Sequence, residues 1–116
     1  MQLQAIQDRI YELRGRKVIL EEDLAWLYNI SLKVLQRILK KHTERLPETD
    51  MFLLTSEECL LLALPIQPRC AFTQHGVTAL VSLLKSEGVI NMDTEFAMRY
   101  FRVLYHMRPD SRLLPM

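Results

Sequence analysis

Three glycines, two cysteines and a longest apolar run of six residues define this 116-residue chain first by what it lacks. The few glycines form no loop that would cradle a phosphate. Cys59 and Cys70 are isolated, 11 positions apart, and read as free buried thiols rather than a disulfide. His42, His75 and His106 are scattered and no C-x-x-C occurs, so zinc has no ligand spacing to use. The run Cys59 to Leu64 falls far short of the roughly 20 apolar residues that cross a bilayer, and Met1 leads into Gln2, Gln4 and Asp8 rather than an apolar signal core. The expectation is a cytoplasmic protein, with no membrane partner. A net charge of +1 excludes a uniformly basic coat, which moves attention to where the charge lies.

Catalytic signals are equally sparse. Ser31, Ser56 and Ser82 have no nucleophile-elbow context, and His75 beside Gly76 has no partnered nucleophile. Glu57 and Glu58 are explained by helix capping. The reading is no enzyme, no cofactor and no metal.

What is present is the composition of an ordinary soluble domain, about half apolar and a quarter charged. The length suits one domain over 1–116, with its core at about 10–108. Leu3, Ile6 and Ile10 recur at helical spacing. Ile10 to Leu13 and Val18 to Leu20 then read as a hairpin turned at Arg14-Gly15; the competing reading runs the first helix on to a Gly15 C-cap. Glu21-Glu22-Asp23 put three acids in the first turn of a helix ending near Tyr28, where the helix dipole favours them. Asn29 tolerates a left-handed conformation and Ser31 is placed to cap the next helix.

Glu44 to Asp50 reads as a loop and Met51 to Thr55 as a strand. Thr55 with Glu58 opens a helix through about Leu62 by a capping box, and Pro65 and Pro68 break the chain. Arg69 to Phe72 is a second strand, and Thr73 caps a helix over 74–86 ended by Gly88. A last helix from about Asp93 to Met107, stopped by Pro109, has Phe96, Tyr100, Val103, Leu104 and Met107 on one face and Glu95, Arg99 and Arg102 on the other. Met51, Met92, Met98 and Met107 read as gap-filling core. The fold class is α+β, helix-rich and winged-helix-like: a helix-turn-helix, short strands and two C-terminal helices.

The informative stretch is Glu21 to Lys41. A DNA-reading helix-turn-helix needs small or apolar residues where its helices touch, a residue tolerant of positive φ at the corner, and a polar outward face on the second helix. Leu24, Ala25, Asn29, Ile30, Leu35 and Ile38 meet the first two needs. For the third, Lys33, Gln36, Arg37 and Lys40 fall within an arc of roughly 100°, opposite Leu32, Leu35, Ile38 and Leu39. Arg reads guanine bidentately, Gln pairs with adenine and Lys serves guanine or phosphate. Lys41, His42 and Arg45 continue the strip in positions suited to phosphates. From Ser31 to Pro47 five cations face one anion, Glu44. The candidate DNA-binding residues are Lys33, Gln36, Arg37, Lys40, Lys41 and Arg45, and the expected partner is double-stranded DNA.

An ordered series of short motifs adds to this. Arg14-Gly15 with Val18 and Leu20, Asp23-Leu24-Ala25, Leu27-Tyr28, Glu44 to Glu48, Met51-Phe52, Leu54-Thr55 with Glu57-Glu58, and Ala71-Phe72-Thr73 with Gly76-Val77 resemble the KilA-N superfamily. The resemblance is to the branch named after the N-terminal domain of the phage open reading frame six product, and runs from about Ile10 to Arg108. It implies a DNA-binding domain of phage, prophage or bacterial regulators, nucleoid-associated and often joined to other domains in antirepressors. The chain departs from that pattern at Asp50, where an aromatic is usual, at Gln74-His75, and at Ala63 to Pro68. That last segment is apolar where relatives carry a longer polar or basic stretch, and the adjoining Arg69 is the only cation it offers to a wing-like contact.

The rival reading is a protein-interaction module, an antirepressor that captures a repressor protein. A homodimer is the other expected association, since one recognition helix reads only a few base pairs.

Overall fold

The Arg14-Gly15 turn sets the first register in the computed structural model, which describes residues 3–108. Both turn residues have positive φ, 54° and 75°, the twist that suits a two-residue hairpin loop. Strand β1 (Ile10–Leu13) therefore pairs antiparallel with β2 (Arg16–Leu20), Leu13 opposite Arg16. Helix α1 (Leu3–Gln7) stops short of the hairpin, which rules out the alternative of one helix running to Gly15.

Strands β3 (Met51–Leu53) and β4 (Cys70–Phe72) complete an antiparallel sheet in the order β1-β2-β4-β3. Both strands are shorter than the sequence reading, which had included Thr55 and Arg69. The register aligns Ile10, Ile19, Phe72 and Met51 in one row across the sheet and Leu20, Ala71 and Phe52 in the next. Alternate rows face opposite sides. The first row joins the main core with residues of five helices, and the second lies in a smaller cluster with Leu13, Val18, Leu54 and Cys59. Burial on both faces explains why Val18-Ile19-Leu20 is continuously apolar.

On the main face lie α1, α2 (Glu21–Leu27), α3 (Leu32–Lys41), α5 (Gln74–Ser86) and α6 (Thr94–His106). Helix α4 (Ser56–Leu61) covers the other face through Cys59. A 3₁₀ turn at Thr43–Arg45 begins the segment read as a loop, and Leu46 behind it is buried. Thr55 accepts the Glu58 N–H while the Glu58 carboxylate accepts the Thr55 N–H at 2.9 Å. The capping box is there as expected.

Three helices end by the same device. After α2, the Ile30 N–H donates to the Ala25 carbonyl at 2.9 Å and the Asn29 N–H to Trp26 at 3.3 Å, with Asn29 at φ 55°. Gly88 ends α5 in the same way, and Ala63 ends α4 at φ 56°. Each is the paired closure of a left-handed C′ residue. Asn29 and Gly88 are legible as stops; Ala63, whose Cβ disfavours that conformation, is not.

Several side chains depart from the sequence reading. Ser31 occupies the N-cap position of α3 but its hydroxyl makes no cap bond. Leu32 is exposed rather than turned inward, and Met92 and Met98 are exposed rather than core. On α6 the packed face holds Phe96, Tyr100, Val103, Leu104 and Met107 as read, whereas Arg99 and Arg102 are half-buried at its edge. Pro109 lies outside the described residues.

Gly76 lies in the first turn of α5 because backbone approaches it closely. A Cβ there would overlap the Asp50 carbonyl. Thr73 locks the same corner: its N–H donates to Asp50 at 2.9 Å, its hydroxyl donates to Thr49 at 2.7 Å, and that oxygen accepts the Gly76 N–H at 3.2 Å.

Candidate nucleic-acid interface

The α2 corner holds α3 with Leu35, Ile38 and Leu39 against the core. Helical geometry then leaves Lys33, Gln36, Arg37, Lys40 and Lys41 exposed on its outer side, with Arg45 exposed just beyond in the 3₁₀ turn. All six candidate residues are thus on one exposed stretch. Lys33, Arg37, Lys40 and Arg45 have no ion-pair partner among the described residues. No acid lies in the first turn of α3.

One of the six, Lys41, is ion-paired. The Lys41 ammonium sits 3.0 and 3.3 Å from the Glu87 carboxylate oxygens, and His42 Nε2 lies 3.9 Å from the same group. The Lys41 hydrogen bond first, then the charges of Lys41, His42 and Arg37, hold the Glu87 carboxyl below its ordinary range. An acid from the end of α5 therefore stands at the basic end of α3, and a phosphate approaching Lys41 must compete with it. Gln36 lies near the Glu21 carboxylate and offsets part of the rise that burial gives its pKa. The sequence carried no signal for the Lys41 contact, since its partners are 46 positions apart.

The acids that open α2 do more than complement a dipole. Glu21 is buried and accepts the Cys70 N–H at 3.0 Å, tying α2 to β4; burial raises its pKa. Glu22 pairs with Arg69 at 2.7 Å, and Arg69 also donates to the Pro65 carbonyl at 3.1 Å. Arg69 is buried, so the one cation beside the Ala63–Pro68 segment faces inward. Asp23 lies 3.5 Å from Arg9, whose guanidinium stacks 4.0 Å above the Trp26 ring. Burial outweighs Arg9 and pushes the Asp23 carboxyl up to about 6. On the opposite side of the sheet Arg14 forms a two-pronged bond to Glu58, both arms at 3.0 Å, and covers the Phe52 ring. That bond and the Thr55 N–H bring the Glu58 carboxyl down to about 2.

Other features offer less chemistry. A cleft of about 940 Å³ is lined by Glu12, Arg16, Lys17, Asp50, Thr73 and His75 among others, and the Thr73 hydroxyl is committed to the corner described above. Among the described residues no group of three or more His, Cys, Asp or Glu is placed to hold a metal ion, and no helix is long and apolar enough to cross a membrane. Cys59 and Cys70 are free thiols.

The arrangement defines a small α+β domain that presents a cation-bearing helix from a tight two-helix corner. The family model for the ORF6N domain matches residues 8–83, and the chain belongs to that family of phage-associated regulatory domains. No curated protein and no solved structure matches it. The family match ends within α5, so α6 lies beyond it.

Proposed function

We propose that this chain is a double-stranded-DNA-binding module of a phage or prophage-type regulator, reading sequence with the outer face of α3. The observation that carries the reading is the exposed set Lys33, Arg37, Lys40 and Arg45, without ion-pair partners among the described residues, on a helix whose other side is locked into the core. An α-helix fits the major groove, and Arg37 and Gln36 lie centrally on that face. Lys33, Lys40 and Arg45 are placed for phosphates, with Lys41 joining them when Glu87 is displaced.

The test is selection of bound duplexes from a random pool, followed by binding of the selected site and of scrambled DNA across salt. Arg37→Ala is expected to lose about 1 to 3 kcal/mol on the selected site and to relax one base position. Arg45→Ala is expected to weaken all duplexes alike and reduce the salt slope by about one unit. Glu87→Gln strengthens binding to every duplex. An unselective pool, or Arg37→Ala acting equally on all sequences, overturns sequence reading. An antirepressor that binds a repressor protein instead would leave the pool unenriched and show a complex far less sensitive to salt.

A further inference from the structure

Leu32, the first residue of α3, is 39% exposed, while the other leucines of that helix, Leu35 and Leu39, are buried. It stands one turn before Gln36 and two before Lys40, both exposed, so the three form one row along the helix at four-residue spacing. Every other exposed residue of α3, namely Lys33, Gln36, Arg37, Lys40 and Lys41, ends in nitrogen donors. Leu32 alone ends in methyl groups. A single exposed leucine is ordinary on a surface that meets only water. This one opens the helix to which the DNA reading assigns base contact, and the inference rests on that reading.

In a helix-turn-helix the N-terminal residues of the second helix meet the base edges. A leucine there forms no hydrogen bond with a base or a phosphate. The major-groove edge offers it one apolar group to bury against, the thymine C5-methyl. We infer that Leu32 reads a thymine through this methyl group. Gln36, suited to adenine, lies about 6 Å further along the helix axis, four rises of about 1.5 Å, and bases stack about 3.4 Å apart. The thymine therefore falls within about two base pairs of that adenine, and the preferred site carries A·T pairs under the opening of α3. The corner holds Leu32 ready for this contact. The Ile30 N–H bonds Ala25 at 2.9 Å and the Leu35 N–H bonds Ser31 at 3.0 Å, which fixes the backbone on both sides of it. A leucine also gives up less rotamer freedom on contact than Lys, Arg or Gln. Being uncharged, Leu32 adds sequence preference without adding to the salt-dependent attraction that all duplexes share.

The test uses the 116-residue chain and the duplex enriched from a random pool, with each thymine replaced in turn by deoxyuridine. That base keeps every hydrogen-bonding group of thymine and lacks only the methyl. One replacement is expected to weaken the parent about four-fold, the value of one buried methyl-sized group, with the salt slope unchanged. Leu32→Ala binds the thymine duplex several-fold more weakly and no longer distinguishes it from the deoxyuridine duplex, whereas Leu32→Met keeps the distinction. Thermal melts of both variants are expected to stay close to the parent's, because the side chain is exposed. An enriched site that lacks a thymine, or that accepts deoxyuridine at every one, overturns the inference and leaves DNA reading by α3 standing. A Leu32→Ala chain that keeps the four-fold difference also overturns it. A pool with no enriched site overturns the DNA reading itself, and this inference with it.

Discussion

Helices α3 and α6 are built alike on their inner sides and oppositely on their outer ones. Each buries a stripe of Leu, Ile, Val or Phe in the same core. Outside, α3 shows Lys33, Arg37 and Lys40, whereas α6 shows Met98, Phe101 and Tyr105. A buried stripe is what any packed helix requires, so it identifies structure alone; the outer side is free of that demand and carries the information about partners. Dispersed cations suit a phosphate backbone, and an exposed row of Met, Phe and Tyr does not.

The sharpest way to break this comparison is to exchange inner side chains. Leu35→Asp and Val103→Asp each place a carboxylate where the side chain is buried, and each is expected to cost on the order of 3 to 5 kcal/mol. That is much of the stability of a small domain. Urea unfolding checks it: a Leu35→Asp or Val103→Asp chain that unfolds like the parent would mean its inner stripe is not packed.

A smaller loss tests what the two helices share. Helix α5 stands between them, its Gln74 amide donating to the Leu104 carbonyl at 3.3 Å and its Glu87 meeting Lys41. Gly76→Ala forces α5 away from Asp50 and is expected to cost about 1 to 3 kcal/mol, reducing DNA binding in proportion to the unfolded fraction. A Gly76→Ala chain as stable as the parent would show that α5 is not held against Asp50.

The smallest effect concerns the α2 side alone. The folded-state pKa of Asp23, at about 6, lies above its ordinary 3.8. The folded protein therefore binds that proton more tightly, and the stabilisation is full below 3.8 and lost as pH rises through about 6. Glu21, also raised by burial, contributes in the same direction. Glu58, lowered to about 2, acts oppositely, its contribution present above 4.5 and lost as pH falls toward 2. Asp23→Asn is expected to flatten the fall in urea midpoint between roughly pH 4.5 and pH 7. An unaltered slope would assign the dependence to Glu21 and other groups.

Much of this molecule was readable from local chemistry. The hairpin followed from Arg14-Gly15, the α2 stop from Asn29, and the caps of α4 and α5 from Thr55 and Thr73, because each device acts within four residues. The exposed cations of α3 were equally legible, since a helix period fixes which side chains share a face. Ala63 was not, for its positive φ is imposed by Leu64 and Cys59 packing back against the sheet. Nor was the second face of α6: Met98 was read as core because hydrophobicity does not state which of two apolar stripes is covered.

What the sequence determined by itself is the set of helices and strands and the basic side of α3, because those depend on periodicity, turn residues and caps. Tertiary structure alone decided that Glu87 meets Lys41, that Glu21 is buried against Cys70 and beside Gln36, that Gly76 lies against Asp50, and that α6 keeps an apolar stripe uncovered. Those are meetings between residues tens of positions apart. Their free energies depend on burial and distance, quantities that come into being only when the chain has closed around its core.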